Sequence, residues 1–137
     1  MDNEQLIEEA KKAREYSYSP YSHFRVGAAL LCADGTVYTG CNIENAAFSP
    51  TNCAERTAVF KAVSEGKKDF VKIAVAGDDE SCLSPCGVCR QVLMEFVDPM
   101  DFEVVMAGGS GCKKVAKLAE LLPESFSPIN LKNHVKK

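Results

Sequence analysis

The stretch "FRVGAALLCADGTVYTGC", residues 24–41, decides how the chain begins to fold. It holds two apolar runs of β-prone residues, and Ala33-Asp34-Gly35 lies between them. Asp-Gly is a strong hairpin signal because glycine readily adopts the positive φ that tight hairpin turns require. The stretch therefore predicts two antiparallel strands.

Three helices are predicted around this hairpin. Residues 3–16 have apolar side chains at helical spacing, and so do residues 53–66, where Gly66 ends the run. Residues 86–97 predict a third helix, preceded by Pro85, a residue suited to a first helical turn. The second helix therefore begins near Cys53 and the third near Cys86.

Two further segments have the composition of buried strands. They are "FVKIAVAG", residues 70–77, and "FEVVMAG", residues 102–108. A short strand or helix follows and ends at Pro123. This order of elements predicts an α/β layered domain with a mixed sheet, in which helical crossovers join the later strands. A length of 137 residues predicts a single domain, residues 1–137.

Composition narrows the classes of function. Hydrophobic residues make up 46% of the chain and charged residues 26%, as in ordinary globular proteins. The net charge of -3 argues against a nucleic-acid partner, and no apolar run is long enough to span a membrane. We expect a cytoplasmic protein. Its seven cysteines, an odd number without a secretion signal, argue against disulfides and favour reduced thiols or metal ligands.

Three of these cysteines lie at predicted helix starts. Cys53 begins one helix, while Cys86 and Cys89 are three residues apart on one face of the next. Helix amino termini favour thiolates, so the three sulfurs together suit Zn²⁺ and leave its fourth position open for water. Glu55 lies two residues after Cys53 and is placed to carry a proton, and Arg56 beside it can offset the charge of the thiolates.

The motifs Cys53-Ala54-Glu55 and Pro85-Cys86-Gly87-Val88-Cys89 resemble the signature of the zinc-dependent cytidine deaminases. The resemblance extends from Tyr18 to about Phe126. It implies a three-layer α/β/α sandwich around a five-stranded mixed sheet. Cysteine as the first ligand in so short a chain resembles the small homotetrameric branch of the family.

The same resemblance implies the chemistry. We expect hydrolytic deamination of cytidine and 2′-deoxycytidine in pyrimidine salvage, with zinc-bound hydroxide attacking C4 and Glu55 protonating N3. Phe24 is expected to flank the pyrimidine, and backbone groups around Ala54 and Cys86 to contact it.

The resemblance further implies contacts to the ribose hydroxyls from Asn42 and Glu44. Phe126, in "LLPESF", is expected to reach into a neighbouring subunit's site. Phe48 departs from the family, in which many members have tyrosine, so any hydrogen bond from that hydroxyl is lost.

Several alternatives remain open at this point. Cys82 could be a fourth ligand that closes a structural zinc site in a non-catalytic binding module. "CGVC", residues 86–89, could be a redox dithiol. The substrate could be a cytosine-containing antibiotic nucleoside. Cys32, Cys41 and Cys112 are interpreted as core residues, and neither His23 nor His134 has a spacing that suggests a ligand.

Overall fold

A computed structural model describes residues 1–109 and 111–132 of the chain, so His134 lies outside the described residues. The described residues form five helices and five strands. The helices are α1 Asn3–Arg14, α2 Ala54–Ser64, α3 Gly87–Met94, α4 Leu118–Leu121 and α5 Pro128–Lys132. The strands are β1 Val26–Cys32, β2 Val37–Cys41, β3 Phe70–Gly77, β4 Glu103–Ala107 and β5 Lys113–Lys117. Their order along the chain is α1-β1-β2-α2-β3-α3-β4-β5-α4-α5.

The five strands form one mixed sheet in the order β2-β1-β3-β4-β5. β1 pairs antiparallel with both β2 and β3, and the predicted hairpin is therefore confirmed. β3 and β4 are parallel because α3 carries the chain back between them. β5 pairs antiparallel with β4, so a short connection rather than a helical crossover joins the last two strands.

Helices cover both faces of the sheet. One hydrophobic cluster joins α1 to one face, through residues such as Leu6, Ala29 and Val105. The other cluster joins α2 and α3 to the opposite face, through residues such as Val59, Ile73 and Leu93. The predicted three-layer α/β/α sandwich around a five-stranded mixed sheet is confirmed.

Two glycines let the helices approach the sheet closely. A Cβ on Gly27 would lie 1.9 Å from the carbonyl oxygen of Ala10 in α1. A Cβ on Gly40 would lie 2.5 Å from the carbonyl oxygen of Ala54 in α2. Glycine at position 40 therefore seats the first turn of α2 directly on β2.

The helices and strands differ from the prediction in three respects. α3 ends at Met94 rather than at residue 97. The segment before Pro123 contains both a strand and a helix, β5 and α4. α5 has no counterpart in the prediction.

The expectation that the chain lacks disulfides is wrong. Cys82 and Cys112 form a disulfide that joins the loop after β3 to the segment before β5. This pairing also corrects the interpretation of Cys112 as a core residue. Cys32 is buried as expected, whereas Cys41 is half-buried.

No helix in the described part of the chain is both long and apolar enough to cross a membrane.

Candidate active site

The amino termini of α2 and α3 place the candidate ligands. Cys53 is the residue that caps α2, and Cys86 caps α3. Both have extended backbone dihedral angles, and neither side chain hydrogen-bonds to the exposed N–H groups of its helix. Because the two helix ends face one another, their unpaired N–H groups create a positive potential around the cysteines.

The sulfurs of Cys53, Cys86 and Cys89 all lie within 4.8 Å of one another. The Cys53 and Cys86 sulfurs are 3.7 Å apart. Cys89 is buried, Cys53 is half-buried and Cys86 is exposed, so the cluster opens to one side. The three sulfurs that the sequence predicts as ligands are therefore brought together, with an approach from the surface.

The electrostatics of the cluster favour thiolate at Cys53. Hydrogen bonds from the Cys89 thiol and from Arg56 lower the pKa of Cys53 to about 5. The pKa of Cys89 is raised, because its proton is held in the hydrogen bond to Cys53 and because the group is buried. Three clustered sulfurs with a thiolate favoured at Cys53 form a donor set suited to a thiophilic metal.

Arg56 is the cation beside the sulfurs. Its Nη2 donates to the Cys53 sulfur at 3.3 Å, and this hydrogen bond raises the pKa of the guanidinium. Its Nε is buried and has no hydrogen-bond partner among the described residues. Arg56 therefore lies against the sulfurs, as the sequence predicts. There its guanidinium can offset part of their negative charge.

Glu55 is the one buried charged residue in the part of the chain that the structure describes. It is 4% exposed, and burial raises the pKa of its carboxyl group to about 7. Ionised carboxylates are almost never buried without a partner, so this position costs stability. A perturbed carboxyl group in a cleft beside potential metal ligands is typical of a functional site.

A cavity of about 270 Å³ lies over the cluster. Six of the predicted site residues line it: Phe24, Asn42, Cys53, Ala54, Glu55 and Cys86. Five other lining residues were not predicted: Val26, Thr51, Asn52, Leu83 and Ser84. Asn52 and Ser84 could have been found from their positions next to Cys53 and Pro85, whereas no sequence signal distinguishes Leu83.

Asn42 is held by the backbone around Phe24. Its Oδ1 accepts from Val26 N at 2.9 Å, and its Nδ2 donates to Phe24 O at 2.8 Å. Ser17 Oγ donates to the same Oδ1 at 2.5 Å. Because an amide nitrogen carries two hydrogens and one of them bonds to Phe24 O, Asn42 has a second N–H with which to donate.

Glu44 lines a second cavity, of about 390 Å³, together with Tyr21, Ser22, Phe48 and Thr51. Thr51 lines both cavities, so the two are adjacent. Glu44 accepts hydrogen bonds from the backbone N–H groups of Tyr21 and Ser22, and from the Ser22 hydroxyl, which lower its pKa. The carboxylate is therefore charged and fixed in position.

Phe48 and Phe126, the two other aromatic residues singled out from the sequence, lie on the surface. The Phe48 ring is 70% exposed and packs edge-on against Tyr21, with ring centroids 6.1 Å apart. Phe126 is 58% exposed and lines neither cavity of its own chain. Within one chain, the structure therefore does not bring Phe126 to the cysteine cluster.

Comparison with known proteins connects this geometry to a family. A sequence profile of the cytidine and deoxycytidylate deaminase zinc-binding region matches residues 1–106. The cytidine deaminase of Sporosarcina psychrophila is 55% identical over 131 residues, which is 96% of each chain. That of Halalkalibacterium halodurans is 52% identical, covering 93% of this chain and 96% of the relative.

Solved structures agree with these sequence matches. The crystal structure of a cytidine deaminase from Burkholderia pseudomallei superimposes with a TM-score of 0.88 at 48% identity, over 92% of this chain and 100% of that one. The enzyme from Mycobacterium tuberculosis gives 0.81 at 37% identity, over 92% and 98%. The resemblance drawn from the cysteine motifs is thus supported over nearly the whole chain.

Proposed function

The chain belongs to the cytidine and deoxycytidylate deaminase family, and from this premise we propose that it deaminates cytidine and 2′-deoxycytidine hydrolytically. Water adds its oxygen at C4 of the ring, the C4–N4 bond breaks, and the products are ammonia and the uridine analogue. The observation that carries the proposal is the convergence of three cysteine sulfurs, two of which, from Cys53 and Cys86, line one cavity together with the buried Glu55.

Cys53, Cys86 and Cys89 would hold one Zn²⁺. Their sulfurs converge within 4.8 Å, and thiolates are ligands that zinc prefers. When bound there, the ion supplies a Lewis acid that generates a nucleophile from water near neutral pH. Cys82 is occupied in its disulfide with Cys112, which argues against a closed site with four cysteine ligands.

Glu55 would move the protons. A pKa of about 7 lets its carboxyl group both accept and donate a proton near neutral pH. As a carboxylate it takes a proton from the attacking water, and as an acid it delivers that proton to N3 of the pyrimidine. Its burial excludes bulk water, which strengthens these interactions.

Arg56 would balance charge at the metal site. Three thiolates and one Zn²⁺ sum to a charge of about -1, which weakens a Lewis acid. The hydrogen bond from Arg56 to the Cys53 sulfur draws electron density from that ligand.

The substrate would lie across the two adjacent cavities. The Phe24 ring lines the cavity that holds Glu55, where it offers an apolar face to the pyrimidine. Ala54 is buried in the first turn of α2, where its backbone can contact the ring. The remaining N–H of Asn42 and the fixed carboxylate of Glu44 suit the hydroxyl groups of a ribose.

The active site would be completed by a second copy of the chain. Phe126 is exposed and lies outside both cavities of its own chain, so it is available to roof the site of a neighbour. We also propose that the protein is a homotetramer, that it is cytoplasmic and that it acts in pyrimidine salvage. The net charge of -3 does not favour nucleic acid as a substrate.

The test is the loss of ultraviolet absorbance of cytidine and 2′-deoxycytidine with purified protein, before and after chelation and after zinc is restored. We expect the absorbance to fall with time in the untreated protein. The fall should stop when the chelator is added and resume when zinc is restored. A panel that includes a cytosine-containing antibiotic nucleoside separates the two kinds of deaminase. Bound zinc without turnover on any of these nucleosides would support a binding module instead.

A further inference from the structure

Arg90 connects three segments of the chain next to the candidate metal centre. It follows Cys89 in α3, and its side chain is half-buried. The guanidinium donates from Nε to Pro85 O at 2.8 Å and from Nη2 to Ser84 Oγ at 2.7 Å. It also donates from Nη1 to the carbonyl oxygen of Leu121, the last residue of α4, at 2.7 Å.

These contacts surround Cys86 from both sides. Pro85 O belongs to the peptide unit that contains the Cys86 nitrogen, so the Nε bond fixes the plane before the cysteine. The backbone N–H of Arg90 donates to Cys86 O at 3.0 Å, which fixes the plane after it. Arg90 directly follows Cys89 in sequence, so its side-chain bond to Pro85 O ties the loop before Cys86 to the turn that carries Cys89.

Loss of the hydrogen bond from Arg90 Nε would leave the Pro85 carbonyl oxygen without that partner. Pro85 is fully buried, and a buried carbonyl without a hydrogen-bond partner is strongly disfavoured. Removal of the guanidinium would therefore drive the loop before Cys86 towards solvent.

We propose that Arg90 is a positioning residue for the metal centre, because its planar guanidinium fixes the loop that presents Cys86 relative to Cys89. This inference rests on the proposed zinc site. Arg90 touches no sulfur in any hydrogen bond of the described structure, so it acts through the loop and not as a ligand.

The geometry requires arginine rather than a positive charge alone. Three acceptors lie on two separate segments, the loop at Ser84-Pro85 and Leu121, and a guanidinium presents five N–H donors in a planar fork. A lysine ammonium is a point charge on a flexible stem and cannot reproduce that fork. Arg90→Lys is therefore the informative conservative variant, and Arg90→Gln removes both charge and fork.

The experiment measures the zinc dissociation constant of purified protein by competition with a chromophoric chelator, for the wild type and both variants. Outer partners of metal ligands typically contribute about 10- to 100-fold in metal affinity. We expect losses in that range for Arg90→Gln and a loss of about tenfold for Arg90→Lys. With Co²⁺ in place of zinc, the visible bands of a tetrahedral thiolate site should shift in both variants.

Two control variants separate positioning from loss of stability. Lys72→Met removes another half-buried tertiary hydrogen bond, from Lys72 Nζ to Asn3 Oδ1, at the start of β3. Gln91→Ala removes a hydrogen bond from the next residue of α3, which donates to Phe126 O in the carboxy-terminal segment. This substitution leaves the contacts of the Cys86 loop in place. Neither control should change zinc affinity or the Co²⁺ bands.

Zinc affinity within twofold of the wild type in both Arg90 variants would overturn the inference. An equal loss in Lys72→Met would overturn it as well, since general destabilisation would then account for the effect. Wild-type behaviour of Arg90→Lys beside a weakened Arg90→Gln would refute the role of the planar fork. If the wild-type chain itself binds no zinc, the proposed function fails and the inference falls with it.

Discussion

Gly40→Ala tests how closely the sheet holds α2. The added Cβ would lie 2.5 Å from Ala54 O and 2.6 Å from Ala58 N, whereas ordinary contact begins at 3.4 Å. Both atoms belong to the helix backbone, so no side-chain rotation can relieve the overlap. α2 must move by roughly 0.9 Å, the difference between 3.4 and 2.5 Å.

That displacement should affect both stability and catalysis. Overpacking of this kind costs about 1–3 kcal/mol of unfolding free energy, which corresponds to a fall in Tm of about 4–12 °C. Ala54 lies between Cys53 and Glu55, so the movement displaces both the proposed zinc ligand and the proposed proton carrier. A misplacement of about 1 Å lowers kcat/KM by about 100-fold. Thermal denaturation and cytidine turnover measure the two effects.

Gly87→Ala is the matched control. Nothing lies within 4 Å of a Cβ at this position, and its backbone is the first turn of α3. The change should leave Tm unaltered or raise it slightly, because alanine favours a helix more than glycine by about 1 kcal/mol. Wild-type Tm and kcat/KM in Gly40→Ala would refute the reasoning, and so would equal losses in the two variants.

Three further predictions concern other parts of the molecule. Phe126→Ala should raise KM for cytidine and leave zinc content unchanged; an unaltered KM would argue against a shared site. Cys82→Ser should keep one zinc per chain but lose about 2–4 kcal/mol of stability, as should Cys112→Ser; zinc loss in the first variant alone would implicate Cys82 as a ligand. Although burial opposes it, hydrogen bonds from Arg25 lower the pKa of Asp78 below its unfolded value, so this carboxylate stabilises the fold above about pH 4 and loses that effect as pH falls. Denaturation of Asp78→Asn across the acid range should therefore show a weaker pH dependence, and an unchanged profile would contradict this assignment.

The clustering of the three cysteines could be predicted from the sequence because its determinants are mostly local. Cys86 and Cys89 are three residues apart, so any helix there places them on one face. Cys53 needed one further assumption, that two helix amino termini meet. The turn at Asp34-Gly35 likewise fixes the first hairpin through residues adjacent in sequence.

The features that escaped prediction depend on contacts between distant segments. Cys82 and Cys112 are 30 residues apart, and their pairing follows from the parallel placement of β3 and β4. Composition alone argued against disulfides and could not anticipate two loops meeting at one end of the sheet. Leu83 follows Cys82 directly and lines the cavity, a position that also depends on how the loop after β3 is placed.

Glu55→Gln tests the central claim most directly. The amide keeps the size of the side chain but cannot carry a proton, and Glu55 lies outside the three-sulfur cluster. We predict one zinc per chain, as in the wild type, and a kcat for cytidine lower by at least about a hundredfold. Turnover near the wild-type rate at full zinc content would contradict the account.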